Sequence, residues 1–397
     1  MARNLVVCLD GTSNEPESGT TNVARTYAVA VKSESQLVYY DPGVGTMGAR
    51  GAVTSTGKKA TRVAGLVVGF GVKDNIEEAY SWLSTNYQRG DRIFVFGFSR
   101  GAYTARSLCG FIKAAGLLER PSAKDVWRAY IDLYATEPRT IARPKGWNPD
   151  RVRGWLVEKA GDAVGRLGGG AVASLPRHAG VKIKFIGVYD TVGALGVPLT
   201  GATSVNEPIV GFHDTTLGDL VAHAVQALAV DEKRGPYVPT LWTQAANAAA
   251  LAGQSVLQVW FPGVHSDIGG GYPDKGIGDI TWDFMMRQAA DAGLVLDPAQ
   301  RTPTLSLQEL PPQHESFDDT WKELSNRLKL VPQGTRVVGP TTTGPHGEAL
   351  TVATRVCLHP SVVNRLGKRC MTFGAKQNVE GIYQPVNVKA DGLPVFA

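Results

Sequence analysis

The chain has 397 residues and a formal net charge of +5, with 43% hydrophobic and 19% charged residues. This composition is typical of a globular protein and excludes an intrinsically disordered chain. The mildly basic charge fits an anionic partner such as a membrane surface, whereas the lack of zinc-finger or RNA-recognition motifs makes nucleic acid an unexpected partner.

The length would accommodate two average domains, but we expect one domain over residues 1–397, because α/β enzymes with insertions reach this size. The first residues lead directly into an apolar strand and lack the features of a secretory signal peptide. The longest apolar runs are too short to cross a bilayer. We therefore expect a protein that is cytoplasmic when made, with any export following a signal-independent route. The cysteines form no CxxC pair, which indicates a reducing compartment: Cys8, Cys109, Cys357 and Cys370.

The first part of the chain alternates between patterns of buried strands and amphipathic helices. Apolar runs at residues 5–9, 36–40 and 93–96 predict three strands. Asp74 is predicted to cap the helix between the second and third, whose apolar stripe consists of Ile76, Ala79, Tyr80, Leu83 and Tyr87. The alternation predicts an α/β fold with a mostly parallel central sheet that helices cover on both faces.

Later segments extend this pattern. Residues 181–189 and 255–261 predict two more strands. Between them, the apolar positions of residues 217–228 predict an amphipathic helix that includes His223.

Two segments fall outside the strand and helix alternation. We expect residues 120–180 to form a cap or lid insertion. Its tryptophans stand among basic residues, which suits an interfacial lid over a lipid but equally suits an ordinary helical cap with solvated charges: Trp127, Trp147 and Trp155. We expect residues 299–397 to be a loop-rich extension packed on the core, with one helix at residues 318–330.

A glycine-flanked serine lies between the third strand and a helix-forming stretch. Ser99 stands in the sequence Gly-Phe-Ser-Arg-Gly, with Gly97 and Gly101 at the two flanking positions. A strained strand-to-helix turn brings backbone close on both sides and leaves no room for a Cβ there. The turn projects the serine oxygen above the sheet, next to a helix N-terminus that favours developing negative charge. The context therefore predicts a nucleophile elbow.

A serine nucleophile needs a base within hydrogen-bond reach and an acid that orients the base. His265 follows the elbow and comes directly after a predicted buried strand, and Asp190 ends another strand, so both are expected at the same sheet edge. Asp10 and Asp267 remain rival acids, with an Asx turn and a backbone cap as their structural alternatives. The other histidines fit less well because they are predicted within a helix, at a helix start or in loops without a strand: His178, His213, His223, His314, His346 and His359.

Acyl transfer also requires two donors for the oxyanion. One is expected to be the backbone N–H of Arg100, directly after the serine, and the second to come from Gly11 or Thr12 in the loop after the first strand. This chemistry requires no metal and no organic cofactor.

Several motifs occur together in a fixed order. The chain resembles the α/β-hydrolase domain of type VI secretion phospholipase effectors and their uncharacterised bacterial and fungal relatives. The resemblance spans about residues 5–275, with a weaker echo at residues 359–362. It rests on Cys8-Leu9-Asp10-Gly11-Thr12, Gly97-Phe98-Ser99-Arg100-Gly101-Ala102, Tyr189-Asp190-Thr191-Val192-Gly193, Asp231-Glu232-Lys233-Arg234 and Gly263-Val264-His265-Ser266-Asp267-Ile268-Gly269-Gly270-Gly271-Tyr272.

The resemblance implies a serine esterase or lipase that cleaves fatty-acyl esters of phospholipids, with Ser99, Asp190 and His265 at the matching positions. It also implies an antibacterial secreted effector whose partners are a membrane surface, a secretion-apparatus protein and an immunity protein.

Three alternatives stay open at this point. The same fold could hydrolyse a small soluble ester or amide, or it could serve as a non-catalytic interaction module. The third is a metal-dependent phosphoesterase built from Asp10, Asp190, His265 and Asp267.

Overall fold

The computed structural model describes most of the chain. The described residues are 2–11, 21–43, 72–135, 172–192, 217–235, 237–243, 253–300, 310–317, 334–339, 341–343, 349–351, 355–374, 376–388 and 393–396. They contain a seven-stranded sheet whose strands are β1 (Asn4–Leu9), β2 (Gln36–Asp41), β3 (Arg92–Phe98), β4 (Ile183–Tyr189), β5 (Val221–Ala229), β6 (Ser255–Phe261) and β10 (Arg355–Leu358). Their order in the sheet is β10-β6-β5-β4-β3-β1-β2, and every neighbouring pair is parallel.

Helices cover both faces of this sheet. Strand β1 shows the reason, because its alternate side chains enter two different cores. Leu5, Val7 and Leu9 join one cluster with residues of α2 (Val72–Asn86) and α3 (Arg100–Ala115). Val6 and Cys8 join a second cluster with residues of α1 (Asn22–Val29) and α6 (Gly276–Asp291). The predicted parallel sheet with helices on both faces is therefore confirmed.

All five residues of the stripe predicted from the sequence are buried; four of them lie in helix α2, and Tyr87 directly follows its last residue. The helix begins two residues before Asp74, which lies in the first turn. A carboxylate in that turn interacts favourably with the helix dipole.

The prediction of a helix at residues 217–228 is wrong. The segment forms β5, which pairs with β4 and β6 in the middle of the sheet, so His223 lies on a strand. A strand buried on both faces is apolar at nearly every position, and an alanine-rich run of this kind also fits a helical period. The position between two parallel neighbours decides in favour of the strand.

The region after residue 299 contributes to the central sheet, because β10 pairs with β6 and forms one edge. Helix α7 (Pro360–Arg365) follows, and β7 (Gln313–His314), β11 (Arg369–Phe373) and β12 (Asn378–Ile382) form a separate three-stranded sheet. Strands β8 (Thr341–Thr343) and β9 (Ala349–Thr351) form a two-stranded pair. The helix expected at residues 318–330 lies outside the described residues.

Part of the expected cap is described. Helix α4 (Ala123–Ala129) is capped by Ser122 and Asp125 and continues into one π-helical turn, Tyr130–Ala135. Trp127 packs on the core, whereas Trp147 and Trp155 lie outside the described residues. Within the described part of the chain, no helix is both long and apolar enough to cross a membrane.

Candidate active site

Ser99 stands at the sharp turn between β3 and α3. Its φ angle is 57°, a left-handed value that is rare for a residue with a side chain. A Cβ on Gly97 would lie 2.5 Å from the Gly101 carbonyl oxygen. A Cβ on Gly101 would lie 2.5 Å from the carbonyl oxygen of Asp10 and closer still to that of Leu9. The turn therefore requires glycine on both sides of the serine, because backbone occupies the space of a side chain.

His265 joins the elbow serine to a buried carboxylate. Its Nε2 lies 2.8 Å from Ser99 Oγ, and its Nδ1 lies 2.6 Å from Asp190 Oδ2. Ser99 and Asp190 follow neighbouring strands β3 and β4, and His265 begins helix α5 (His265–Ile268) shortly after β6. Parallel strands carry all three residues to one sheet edge, so the structure brings the expected nucleophile, acid and base into a single hydrogen-bonded chain.

Asp190 is completely buried and fully engaged. Oδ1 accepts the Ala229 N–H at 3.0 Å, and Arg336 donates to Oδ1 at 2.6 Å and to Oδ2 at 2.9 Å. Burial alone would raise the pKa of this carboxyl, but the Arg336 guanidinium and the hydrogen bond from His265 lower it well below its ordinary value. Asp190 is therefore ionised at neutral pH.

The imidazole of His265 is 4% exposed and packs against Phe98 and Tyr237, with ring centroids 4.8 and 5.1 Å away. Burial lowers its pKa, while the hydrogen bond to Asp190 opposes that effect. Its backbone N–H donates to Glu232 Oε2 at 3.1 Å. The ring is therefore neutral at neutral pH, as a base requires, and it is fixed from both its side chain and its backbone.

Glu232 is a buried carboxylate for which the sequence motifs predict no role. Arg234 donates to it through its backbone N–H and its guanidinium, at 2.8–2.9 Å. Burial would raise the pKa of Glu232, but the bonds and charge of Arg234 lower it to about 2. Both residues belong to the Asp-Glu-Lys-Arg motif in the sequence, which was the signal that could have identified them.

The expected oxyanion donors have different surroundings. Arg100 is the first residue of α3, so its N–H belongs to the helix N-terminus beside Ser99, and burial lowers the pKa of its side chain to about 10. The Gly11 N–H donates to Asp10 Oδ1 at 2.7 Å. Thr12 lies outside the described residues.

The two rival acids have other partners. The Asp10 carboxylate accepts from Gly11 N–H, Thr21 Oγ1 and Tyr40 Oη, which ties the end of β1 to its surroundings. Asp267 accepts from the Val264 N–H at 2.9 Å and pairs with His314 Nδ1 at 2.6 Å. The Nδ1 atom of His265 is bonded to Asp190, so the geometry favours Asp190 as the orienting acid.

Two histidines predicted in loops have strands beside them. His314 lies in β7, and His359 directly follows β10, where it caps α7 and stacks on Phe261 at 4.3 Å. That part of the prediction is wrong, because short strands with mixed composition give no clear period. His178 bonds the Ser84 carbonyl, while His213 and His346 lie outside the described residues.

The four residues of the metal alternative are engaged in separate hydrogen bonds. Asp190 and His265 bond each other, Asp267 bonds His314, and Asp10 bonds Tyr40. Within the described ranges, no group of three or more His, Cys, Asp or Glu side chains is arranged to hold a metal ion.

The chain has an α/β-hydrolase fold, because its parallel sheet presents a strand-turn-helix serine at the edge where later strands deliver a carboxylate and a histidine. It belongs to the family of Tle1-like phospholipase effectors of the type VI secretion system, whose catalytic domain matches residues 3–288. The resemblance drawn from the motifs is confirmed.

Relatives show how much of longer proteins this chain covers. The uncharacterized Saccharomyces cerevisiae protein YEL023C is 28% identical over 263 residues, which are 61% of this chain and 34% of that protein. A solved structure of an uncharacterized Pseudomonas aeruginosa protein has a TM-score of 0.40 at 17% identity, covering 76% of this chain and 48% of that one. The Tle1 effector bound to the VgrG spike has a TM-score of 0.33 at 17% identity, covering 69% and 52%. The chain thus spans a third to a half of these relatives.

Proposed function

We propose that this protein is a serine esterase in which Ser99, His265 and Asp190 form the catalytic triad. The observation that carries the proposal is the double engagement of His265, with Ser99 Oγ at 2.8 Å on one ring nitrogen and Asp190 at 2.6 Å on the other. This is the geometry that a general base requires for activating a hydroxyl nucleophile.

The reaction proceeds in two halves. Ser99 Oγ attacks the ester carbonyl carbon while His265 Nε2 accepts its proton. The resulting tetrahedral intermediate collapses, and the imidazolium gives that proton to the leaving alcohol. Water then enters, loses a proton to His265 and attacks the acyl-enzyme. The proton returns to Ser99 as the acid leaves, so the enzyme is regenerated without a cofactor.

The surroundings of the triad stabilise the charges that appear on this path. Asp190 is ionised and buried, so it stabilises the imidazolium and holds the tautomer that presents Nε2 to the serine. The oxyanion forms beside the N-terminus of α3, where the Arg100 N–H is one expected donor. Gly11 or Thr12 remains our candidate for the second donor, which for Gly11 requires its N–H to turn away from Asp10.

For the substrate we propose a fatty-acyl ester of a phospholipid, on the support of the family to which the chain belongs. The same family supports a role as an antibacterial effector that is exported without a signal peptide and restrained by an immunity protein in the producing cell. The solved complex of a Tle1 effector with a VgrG spike suggests a secretion-apparatus protein as the corresponding partner of this chain.

The test combines labelling with lipid analysis. We expect a fluorophosphonate to label wild-type protein and not Ser99→Ala, and we expect only the wild type to release fatty acids from phospholipid vesicles. Full activity in Ser99→Ala would refute the triad. Labelling with turnover of short soluble esters alone would favour the small-ester alternative, and neither labelling nor turnover would favour an interaction module. Loss of activity on chelation, with no response to the fluorophosphonate, would favour the metal-dependent alternative.

A further inference from the structure

Three carboxylates surround His265, and each has a partner from the region beyond the matched catalytic domain. Asp190 bonds the ring, Glu232 accepts the His265 N–H, and Asp267 accepts the N–H of the preceding Val264. Their partners lie in residues 314–336, whereas the domain match ends at residue 288.

Arg336 makes the most extensive of these contacts. Its two terminal nitrogens donate to both oxygens of Asp190, at 2.6 and 2.9 Å, in the bidentate geometry that gives the strongest carboxylate pairing. The same nitrogens donate to the carbonyl oxygens of Ala229 and Tyr237, at 3.0 and 2.6 Å. Arg336 is 6% exposed. Its orientation is therefore fixed by the end of β5 and by the residue that packs on the His265 ring.

Two further contacts reach the histidine loop from the same region. Ser316 Oγ donates to Glu232 Oε1 at 2.8 Å, and His314 Nδ1 lies 2.6 Å from Asp267 Oδ1. The His314 ring also stacks on Tyr272, with centroids 3.5 Å apart. These bonds hold the two carboxylates that in turn hold the backbone at residues 264 and 265.

We infer that Arg336 is a positioning residue for the triad, which fixes the rotamer of Asp190 and thereby the aim of the His265 ring at Ser99. The inference rests on the proposed function, since it assigns Arg336 a part in that same site. Hydrolysis by this protein therefore depends on a side chain from outside the part of the chain that defines its family.

The geometry explains why the arginine matters. Asp190 must present Oδ2 to His265 while Oδ1 is held in place. Without Arg336, Oδ1 would keep the hydrogen bond from the Ala229 N–H, and the carboxylate could rotate about it. A fork that grips both oxygens fixes the plane of the carboxylate, and misplacement of a catalytic group by about 1 Å reduces rates about 10²-fold.

Arg336→Met tests the inference directly, because it keeps much of the side-chain length and removes the fork. We expect kcat/KM on a short-chain ester to fall 10- to 100-fold, with KM within about threefold of wild type. Removal of the Arg336 cation should also shift the acid limb of the pH profile to higher pH, because a nearby positive charge disfavours the imidazolium. The charged groups facing the histidine would then be Asp190, Glu232 and Arg234, of which two are anions that favour the imidazolium.

A double-mutant cycle with Asp190→Asn separates positioning from general stability. If Arg336 acts through Asp190, the double variant should be no slower than Asp190→Asn alone. Arg336→Lys keeps the charge without the fork, and we expect it to retain the wild-type acid limb with an intermediate loss of kcat. It also serves as the second variant if Arg336→Met folds poorly. The matched control is Arg365→Met, which removes an equally buried arginine that donates to the Pro311 carbonyl. We expect its pH profile to be that of the wild type.

Wild-type kcat/KM and an unchanged acid limb in folded Arg336→Met, or in Arg336→Lys if the former does not fold, would overturn the inference. The inference would also be overturned if the losses of kcat/KM in Arg336→Met and Asp190→Asn were fully additive in the double variant. Ser99→Ala is measured in parallel: activity retained there counts against the triad, whereas an inactive Ser99→Ala beside fully active Arg336 variants counts against Arg336 alone.

Discussion

The two glycines of helix α3 give a matched pair of substitutions, since Gly101 and Gly110 lie on the same helix in very different surroundings. We expect Gly101→Ala to lower both stability and activity, and Gly110→Ala to leave activity unchanged. Both changes gain about 1 kcal/mol of helix propensity. The difference between them therefore reports what each new methyl group meets.

At Gly101 the methyl group would lie 2.5 Å from the Asp10 carbonyl oxygen, whereas ordinary van der Waals contact begins at 3.4 Å. The end of β1 and the start of α3 must then separate by about 1 Å, and overpacking of this kind costs about 1–3 kcal/mol or more. Because backbone stands on both sides, we expect a net destabilisation of about 2 kcal/mol. A displacement of about 1 Å at the serine should reduce kcat/KM about 10²-fold.

At Gly110 the nearest atom is Cε2 of the Tyr134 side chain, 3.2 Å away, which a shift of a few tenths of an ångström relieves. We expect its stability to change by less than about 1 kcal/mol. Urea unfolding measures the stability of both variants. The rates of fluorophosphonate labelling and of ester hydrolysis measure their activity. Wild-type stability and rate in Gly101→Ala, or an equal loss of rate in Gly110→Ala, would refute the reasoning.

Three further outcomes follow from the charged groups. Because burial lowers the pKa of His265 and the neutral ring is the proposed base, kcat/KM should be constant near pH 7 and fall on acidification with a midpoint below the ordinary pKa of histidine. A profile that rises toward acid would contradict this expectation. Glu232→Gln removes a charge that holds the histidine backbone, so kcat should fall about tenfold with KM little changed, and equal changes in both constants would argue for substrate contact instead. Burial raises the pKa of Asp231 to about 6, so this carboxyl group destabilises the fold once it ionises. We expect Asp231→Asn to raise the Tm at pH 8 and to leave the Tm unchanged near pH 4. Thermal unfolding at the two pH values measures this difference.

The parts of the site that could be predicted from the sequence are those that local chain geometry specifies. The elbow is local because two glycines and a strand-to-helix transition define it within five residues. Asp190 and His265 follow apolar runs, and a parallel sheet brings strand ends together regardless of their distance along the chain. The fold class follows from the same alternation of strands and helices.

What could not be predicted depends on contacts between distant segments. Strand β5 has the composition of a helix, and only its place between β4 and β6 reveals it. Arg336 stands in a stretch without strand or helix period, 146 residues from the carboxylate it pairs with. No pattern within a window of the sequence contains that information.

The edge strand β10 has a consequence for how the chain folds. Its first residue, Arg355, pairs with Leu257 about a hundred residues earlier, which is the largest sequence separation between paired strands in the described seven-stranded sheet. During synthesis the N-terminal strands emerge and associate long before their last neighbour exists, so the open side of β6 presents unpaired amides to solvent. Until the C-terminal segment is complete, β6 is an unpaired edge that other chains could join. Afterwards the shorter strand β10 is the edge, and Leu358 bonds the backbone of Pro394 and Phe396 on its outer side.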